Sequence, residues 1–485
     1  MASPMNAFMD WMDKHFMPIA TKIGSQRHLV ALRDGFISIM PITMVGSIAT
    51  LLNVFLRDLP NSWWGEGNAF TAACSQIIAV DGNVWNGSLA ILALAFAFSF
   101  GYHLSKSYDV NPIAGGVVSF SALMTSVNYN ITFDYALDGV KKGSVAALKA
   151  AGLNVAAGAD GTVSLLGVTT GGISTAYTSA TGLFTAIIFG LVCTMIYIKL
   201  MKSRFTIKLP DSVPPAVNDT FKALIPGVVA VFVSGIATQV CVALTGEYPN
   251  TLIVDWIQRP LLGMSQSVFL VVLTEFLMQL LWFFGIHGSN VMAPITEGIY
   301  TPALLENLQV WNTTHSTAAM PYIWTRGSFD AYTMMGGSGI TIGLILAIMI
   351  FSKREDSRAV AKLAAPMGVF NINEPVIFGM PIVLNPIYFI PWVLVPVVTA
   401  LVALGFTAAG IIPPVYIQVP WIMPVGIYAY LATGGSIAAG LVALLCLAIS
   451  FAIWTPFVLL ANREQDKEQA AGAQPADQAE LKAAE

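Results

Sequence analysis

The chain is poor in charged residues: Asp, Glu, Lys and Arg make up only 10% of its 485 residues. Soluble globular proteins carry roughly 25% of these residues, and a much smaller share cannot cover a surface that faces water. Hydrophobic residues instead reach 56%. Apolar stretches of about 20 residues recur, each long enough to cross the hydrocarbon core of a bilayer. The composition therefore excludes a soluble globular protein and predicts a membrane protein of many spans.

The sequence also has few features of soluble enzymes. Its four cysteines are scattered, and none has the spacing of a metal site or a redox pair. There is no phosphate-binding loop, no dinucleotide-binding glycine motif and no metal-spaced set of His and Cys. The net charge of −4 gives no indication of a nucleic-acid partner. We therefore expect no cofactor, no bound metal, no nucleic acid and no ATP hydrolysis by the chain itself.

The N-terminal segment does not have the pattern of a signal peptide. Asp10 and Asp13 interrupt the region where an uncharged apolar core would be required. Apolar residues at helical spacing instead predict a short helix in the membrane interface: Phe8, Trp11, Met12, Phe16, Ile19 and Ile23. A frayed amphipathic tail is the alternative.

Hydropathy predicts an all-α polytopic fold. Ordinary spans are expected near 35–56, 87–106, 111–128, 176–200, 222–244, 266–286, 334–352, 386–409 and 437–460. Four stretches between them are too interrupted for lipid and too apolar for simple loops: 129–175, 287–333, 363–385 and 411–435. The first is expected to fold outside the membrane. Re-entrant pieces are expected at 363–385 and 411–435, because irregular backbone at membrane depth needs surrounding protein or a water-filled cavity.

Lys and Arg predict the orientation, since they concentrate in cytoplasmic loops. Residues 1–33 carry four, residues 199–222 carry five and residues 353–362 carry four. These three regions are therefore expected in the cytoplasm. Residue 245 is then external and residue 353 internal, so 287–333 should supply a broken crossing. The total is about ten spans, with both termini in the cytoplasm.

A histidine flanked by glycines follows the apolar helix that ends at Gly285. His287 is costly in hydrocarbon, and intramembrane ionisable residues usually face a cavity or each other. Gly288 allows a sharp turn and the close approach of a ligand. The segment is therefore a candidate substrate site. The alternative is a histidine that caps the helix C-terminus.

A second candidate site lies around Glu374. Its carboxylate stands among apolar residues with no basic residue nearby, and Pro375 biases it away from helix. Asn371 and Asn373 add amides suited to hydroxyl groups. A solvated turn between two hairpin arms is the alternative.

Three further residues inside apolar segments are candidates. Glu275 could pack helices through a hydrogen bond with Gln279, or could contact substrate. Trp282 and Trp421 lie beside polar breaks, where their rings could contact a substrate. The remaining tryptophans are better explained as interfacial residues.

At these residues the sequence resembles a known family. It is similar to the enzyme IIC membrane component of the lactose/cellobiose/diacetylchitobiose class of phosphotransferase systems. The matching elements are Asp81–Leu89, Ile207–Pro214, Phe283–Gly288, Asn373–Pro375, Asn385–Pro386 and Ile411–Pro414. They cover nearly the whole chain, although the stretch 129–175 differs in length from other members.

The resemblance implies an organisation in two membrane halves. Residues 1–245 would mediate homodimerisation and residues 246–462 would enclose the sugar, with 463–485 as a cytoplasmic tail. Glu374 and His287 would lie beside the hydroxyl that receives phosphate and act in catalysis. The substrate-binding set would be Trp282, His287, Gly288, Asn373, Glu374 and Trp421.

The function implied is that of a permease in the bacterial cell membrane. It would translocate a β-linked disaccharide while phosphorylated IIB, supplied with phosphate by IIA, phosphorylates the sugar. The tail contains no cysteine, so IIB and IIA are expected as separate proteins. The alternative function is an ion-coupled secondary sugar transporter that uses Glu374 and His287 as proton carriers, because broken helices and buried ionisable groups serve both mechanisms.

Overall fold

The computed structural model describes residues 14–15, 18, 22, 25–137, 139–158, 162–207, 209–210, 213–380 and 382–483. The interfacial helix predicted near the N-terminus lies largely outside these residues. The structure is mostly helical, at 73%, which confirms the all-α class.

The first part of the chain forms a helical bundle. Its helices are α1 (Arg27–Asn53), α2 (Leu59–Trp64), α3 (Ala69–Ala73), α4 (Ser75–Asn86), α5 (Leu92–Ser107) and α6 (Pro112–Thr125). Helix α5 packs on both α1 and α6. Small residues allow the close approach of α5 and α6, since a Cβ on Gly101 would lie 2.4 Å from the Ser119 Cβ.

A small sheet interrupts the helices in the stretch 129–175. Its strands are β1 (Asn130–Ala136), β2 (Val155–Ala157) and β3 (Val163–Gly171), with the short helix α7 (Val145–Ala150) between β1 and β2. The central strand β3 pairs antiparallel with both others. The sequence analysis did not predict this sheet, because the stretch is rich in Gly, Ala and Thr rather than in regularly alternating apolar residues.

The chain returns to helices after the sheet. These are α8 (Thr175–Thr178), α9 (Leu183–Met201), α10 (Pro215–Thr245), α11 (Pro249–Ile253), α12 (Arg259–Ser265) and α13 (Val268–Phe283). Helices α9 and α10 complete the first bundle by packing on α6. The chain bends by 74° between α12 and α13.

Shorter and broken helices dominate the rest of the chain. They are α14 (Gly288–Ile295), α15 (Thr301–Thr314), α16 (Arg326–Tyr332), α17 (Thr341–Phe351), α18 (Glu355–Val369), α19 (Glu374–Gly379), α20 (Pro386–Ala408), α21 (Ile427–Ala432) and α22 (Ile437–Ala483). Helix α20 packs on α13 and α22, and α17 packs on α22 and α18. Helix α14 contacts α1, which joins this part of the chain to the first bundle.

Three wide π-helical turns have a common cause in the sequence. They are Val54–Asp58, Val254–Gln258 and Thr296–Tyr300. A proline stands two residues after each turn, at Pro60, Pro260 and Pro302. Proline has no N–H to donate, and its ring crowds the carbonyl four residues earlier. The preceding turn therefore widens, and the helix continues after it.

Among the residues that the structure describes, six helical segments are long and apolar enough to cross a membrane, or seven when the bent α12–α13 pair counts as one span. Two shorter apolar helices, Pro112–Thr125 and Ser338–Phe351, match predicted spans. The segment predicted to make a broken crossing is indeed helical but interrupted, through α14, α15 and α16. The total of about ten spans and the division near residue 245 remain predictions.

Candidate functional site

The first predicted site is a tight turn between α13 and α14. Gly285 has a φ of +77°, a conformation that side chains rarely adopt. The exposed His287 then caps the N-terminus of α14, because its Nδ1 accepts a hydrogen bond of 3.3 Å from the Asn290 N–H. The expected alternative, a cap at the C-terminus of the preceding helix, is therefore wrong in position. The cap fixes the imidazole and leaves Nε2 directed away from the backbone bond.

Trp282 and Gly288 are built into the same turn. The Trp282 ring lies 4.2 Å from the His287 ring, centroid to centroid, and its Nε1 donates to Ser289 Oγ at 3.3 Å. A Cβ on Gly288 would lie 2.0 Å from the Met278 carbonyl oxygen and 2.8 Å from Trp282 Cδ1. Only glycine fits this position, so the three predicted residues form one unit.

The second predicted site begins with two asparagines that hold backbone in place. Asn371 has a φ of +64°. Its Oδ1 accepts from the Gly336 N–H at 2.8 Å, and its Nδ2 donates to the Trp421 carbonyl at 2.6 Å. Asn373 is only 4% exposed, and its Nδ2 donates to the Ser338 carbonyl at 2.8 Å. These amides therefore fix the loop that presents Glu374.

Glu374 is the first residue of α19 and is exposed. Its carboxylate makes no hydrogen bond or ion pair with any residue that the structure describes. Its charge is within electrostatic range of the His287 imidazole, and no hydrogen bond joins the two side chains. A carboxylate without a partner beside an imidazole is available to a ligand.

A backbone contact holds the two turns together. The Leu384 N–H, just beyond α19, donates to the Phe283 carbonyl at 3.0 Å. A Cβ on Gly285 would lie 3.4 Å from Val383 Cγ1, and the Phe283 and Phe389 rings meet edge to face at 4.8 Å. The predicted turns, about 90 residues apart in sequence, therefore form one structure.

Trp421 lies outside the two turns and lines a neighbouring cavity. It is 47% exposed and contacts the site loop through its carbonyl rather than its ring. Its side chain lines a cavity with Met40 and Met44 of α1 and with polar groups of α14–α16. Trp421 is thus linked to the Glu374 loop through Asn371, whereas Trp282 contacts His287 itself.

The cavity beside Trp421 contains a charged cluster that the sequence analysis missed. Arg326 Nε contacts Glu297 Oε1 at 2.7 Å, and Arg326 Nη1 contacts Asp330 Oδ1 at 2.8 Å. Tyr428 donates to Asp330 Oδ2 at 3.3 Å, and Thr301 donates to Glu297 Oε2 at 2.7 Å. We call Glu297, Arg326 and Asp330 the arginine cluster. The available signal was the single Lys or Arg of the stretch 287–333, Arg326, which needs an acidic partner among apolar surroundings.

Glu275 lies outside both turns. It is fully buried, and its oxygens accept from Gln279 at 2.6 Å and from Thr333 at 3.2 Å. The bond from Gln279 lies within α13, and the bond from Thr333 joins α13 to the end of α16, so the packing interpretation accounts for the position of Glu275. The residues that the structure describes contain no group of three or more His, Cys, Asp or Glu able to hold a metal ion.

Long apolar helices combined with broken segments that carry an imidazole and a carboxylate on interlocked turns define the class of this protein. Soluble enzymes do not bury such a mass of apolar helix, and broken helices inside a bundle are typical of membrane transporters. The protein is thus a polytopic membrane transport component.

Comparison with known proteins gives the family. Residues 33–396 match the family described as phosphotransferase system, EIIC, and the chain belongs to it. The cellobiose-specific EIIC component of Lactococcus lactis is 37% identical, over 96% of this chain and all of that protein. The cellobiose-specific EIIC component of Geobacillus stearothermophilus is 32% identical, over 96% and 97%.

A solved structure is similar along almost the whole chain. It is the transporter ChbC, the IIC component of the N,N′-diacetylchitobiose-specific phosphotransferase system. Its TM-score is 0.79 at 28% identity, covering 95% of this chain and 99% of that one. The resemblance seen in the sequence is confirmed, and so is the IIC-like fold.

Proposed function

We propose that this protein moves a β-linked disaccharide across the cell membrane and presents it to phosphorylated IIB. Family membership gives the class of reaction, and relatives named for cellobiose and diacetylchitobiose favour a β-linked disaccharide. The observation that carries the proposal is the juxtaposition of His287 and Glu374. Both are exposed and held on interlocked turns inside the membrane protein.

The site residues divide the work of binding. Trp282 supplies an aromatic face beside His287, and Gly288 keeps the backbone at that point free of a side chain. Trp421 supplies a second aromatic ring from the neighbouring cavity. Asn373 acts by fixing the loop, through its bond to Ser338, so that the Glu374 carboxylate faces the ligand.

Phosphoryl transfer then requires positioning and charge compensation. The sugar hydroxyl oxygen attacks the phosphorus of the IIB phosphocysteine, and the phosphorus–sulfur bond breaks to leave a thiolate. Glu374 accepts the hydroxyl proton, provided that the hydroxyl lies within hydrogen-bond reach. His287 Nε2 orients the same hydroxyl or steadies the transferring phosphoryl group.

The proposal includes a homodimer formed by the first half of the chain. Helix α10 supports it, because side chains along its length are largely exposed, including Phe232 at 68%, Ile236 at 60% and Leu244 at 80%. A single cysteine at Ile236, in a chain whose native cysteines are replaced, should give disulfide-linked dimers in membranes. Labelling by lipid-soluble reagents alone, without cross-linking, would assign this face to lipid.

The proposal also sets the orientation of the basic loops and the termini. With single cysteines in a chain without native ones, an impermeant thiol reagent should label Lys142→Cys in intact cells. It should label Arg358→Cys and Lys208→Cys only after lysis, although Lys208 lies outside the described residues. The reverse pattern would overturn the orientation.

The decisive experiment uses the purified chain in liposomes with purified, already phosphorylated IIB on the cytoplasmic side. A panel of labelled β-disaccharides should enter and be recovered as phosphorylated sugar. Recovery of unmodified sugar, with uptake abolished by a protonophore, would instead establish ion-coupled transport.

A further inference from the structure

Helix α18 contains most of the basic segment 353–362 and leads along the chain to Glu374. One side of the helix is buried and consists of small residues: Ser357, Ala361, Ala364 and Gly368. A Cβ on Gly368 would lie 2.9 Å from Ile345 Cδ1 of α17. This side is therefore fully used in packing, and only the opposite side of α18 can contact another molecule.

Helix α18 is also fixed to the short helix that begins with Glu374. A Cβ on Gly379, at the end of α19, would lie 2.9 Å from Val360 Cγ1 of α18. The two helices therefore form a tight hairpin. Whatever binds the outer side of α18 is bound to the same rigid unit as Glu374.

The outer side of the hairpin is apolar along one stripe. Leu363 is 74% exposed, Met367 is 45% exposed and Phe370 is 50% exposed. Phe378 of α19 adds a ring that is 73% exposed. We call these four residues the hairpin ridge.

Two basic side chains flank the hairpin ridge. Arg358 and Lys362 are exposed and lie one helical turn apart, and neither forms an ion pair with another described residue. Arg354 differs, because it contacts Asp356 at 2.9 Å and its hydrogen bond holds the pKa of that carboxyl below the ordinary value. On α18 itself, the basic charge available to a partner is therefore that of Arg358 and Lys362.

We propose that the hairpin ridge, together with Arg358 and Lys362, is the docking surface for phosphorylated IIB. The inference rests on the proposed function. Phosphorylated IIB carries an anionic phosphoryl group and must transfer it to the sugar hydroxyl that Glu374 binds. Basic side chains steer such a partner, and exposed apolar side chains beside them supply the contact area. The tight hairpin gives a short rigid connection between the docked partner and the reacting group.

The test measures the KM for phosphorylated IIB at saturating sugar, in the full chain reconstituted in nanodiscs. Two double variants are compared with wild type: Arg358→Glu/Lys362→Glu and Leu363→Ala/Met367→Ala. Lys141→Glu/Lys142→Glu, between β1 and α7, is the matched charge control. Electrostatic steering changes association rates by factors of about 10 to 10³. The charge variant should therefore raise the KM for phosphorylated IIB on the order of tenfold. This KM should depend more strongly on salt concentration in wild type than in the charge variant. Equilibrium sugar binding should stay unchanged in both double variants.

An unchanged KM in both double variants would refute the docking surface. A KM that changes only with the content of anionic lipid would also refute it, because the hairpin ridge would then lie in the headgroup region of the membrane. Equal loss of sugar binding would also refute it, because the hairpin would then act through the sugar site. The wild-type chain runs in the same assay. Its phosphorylation of sugar therefore tests the proposed function separately.

Discussion

Two groups of charged side chains in the second half of the chain have opposite environments. Glu374 and His287 are exposed and approach each other without an ion pair between them. The arginine cluster is mostly buried, with side-chain exposures of 22% for Arg326, 18% for Glu297 and 14% for Asp330. Every member of that cluster has a partner within 2.8 Å.

The charges of the arginine cluster are compensated within the protein, whereas those of Glu374 and His287 are left for the proposed ligand. A buried charge is tolerated when hydrogen bonds and an opposite charge compensate its desolvation, and it then has little capacity for a further partner. An exposed carboxylate in a site keeps that capacity. Substitution in the arginine cluster should therefore affect folding, and substitution of Glu374 or His287 should affect chemistry.

The largest effect is expected for Glu374→Gln. The amide keeps the shape of the side chain and one acceptor oxygen but cannot take a proton. Removal of a general base costs about 10²–10⁴ in rate, whereas sugar binding should weaken only modestly, because charge-assisted hydrogen bonds are about twice as strong as neutral ones. Single-turnover phosphorylation from phosphorylated IIB and equilibrium sugar binding, on one preparation, measure both quantities.

Glu355→Gln is the control, since Glu355 is an exposed carboxylate on the same hairpin. It should leave both quantities near wild type. His287→Ala should impair both binding and transfer. If phosphorylation in Glu374→Gln falls only in step with binding, Glu374 is a binding residue without a chemical role.

The second effect is on stability. Arg326→Met leaves Glu297 and Asp330 facing each other without a counter-charge. Breaking a buried ion pair costs about 3–5 kcal/mol, and the partial exposure of Arg326 favours the lower end of that range. Thermal unfolding in detergent should therefore show a clearly lower Tm, and less folded protein should be recovered.

Arg259→Met is the matched control. Arg259 also contacts a carboxylate four residues away, Asp255, but the two side chains are 64% and 42% exposed. Surface ion pairs contribute about 0–1 kcal/mol, so its Tm should barely change. If Arg326→Met keeps the wild-type Tm but loses sugar binding, the arginine cluster is part of the ligand site.

The sequence could predict one of these two groups and not the other. Glu374 and His287 stand beside Gly and Pro in short motifs, and their surroundings along the chain already mark them as unusual. The arginine cluster joins Glu297 to Arg326, which are 29 residues apart, so only the path of the chain through 287–333 brings them together. The same limit applies to Asn371, whose bond to the Trp421 carbonyl connects residues 50 apart.

The fold shows a similar division. Apolar helices such as α20 and α22 follow directly from hydropathy, and Pro and Gly indicate where helices break. The three-stranded sheet depends on pairing of β1 with β3 across more than 20 residues, and no local pattern encodes that pairing strongly. The 74° bend before α13 was missed because 246–265 is too polar to be read as a span.

Gly288→Ala should have a smaller, local effect. The new methyl group would lie 2.0 Å from the Met278 carbonyl and must displace the Trp282–His287 unit. We expect sugar affinity to fall by roughly tenfold, as overpacking typically costs about 1–3 kcal/mol. Gly405→Ala in α20 is the control, because nothing lies within 4 Å of a Cβ there. Equal affinities in the two variants would show that the turn is not part of the sugar site.

The smallest effect is expected for Glu275→Gln, which tests whether full burial alone marks a functional carboxylate. Glu275 accepts from Gln279 and Thr333, and Gln279 Oε1 is buried without a hydrogen-bond partner. A glutamine at 275 would keep an oxygen for Thr333, and its amide could donate to Gln279 once that side chain turns over. The hydrogen bond within α13 and the bond from Thr333 at the end of α16 would therefore persist, without an ionisable group at this buried position.

We accordingly expect Glu275→Gln to keep wild-type sugar binding, phosphorylation and Tm. Glu275→Ala should lower the Tm, because it opens a cavity and leaves Gln279 without its acceptor. Thermal unfolding and single-turnover phosphorylation measured on both variants separate the two roles. A large loss of phosphorylation in Glu275→Gln at unchanged Tm would assign the Glu275 carboxylate to transport chemistry. Burial with satisfied hydrogen bonds would then no longer distinguish structural from reactive carboxylates in this protein.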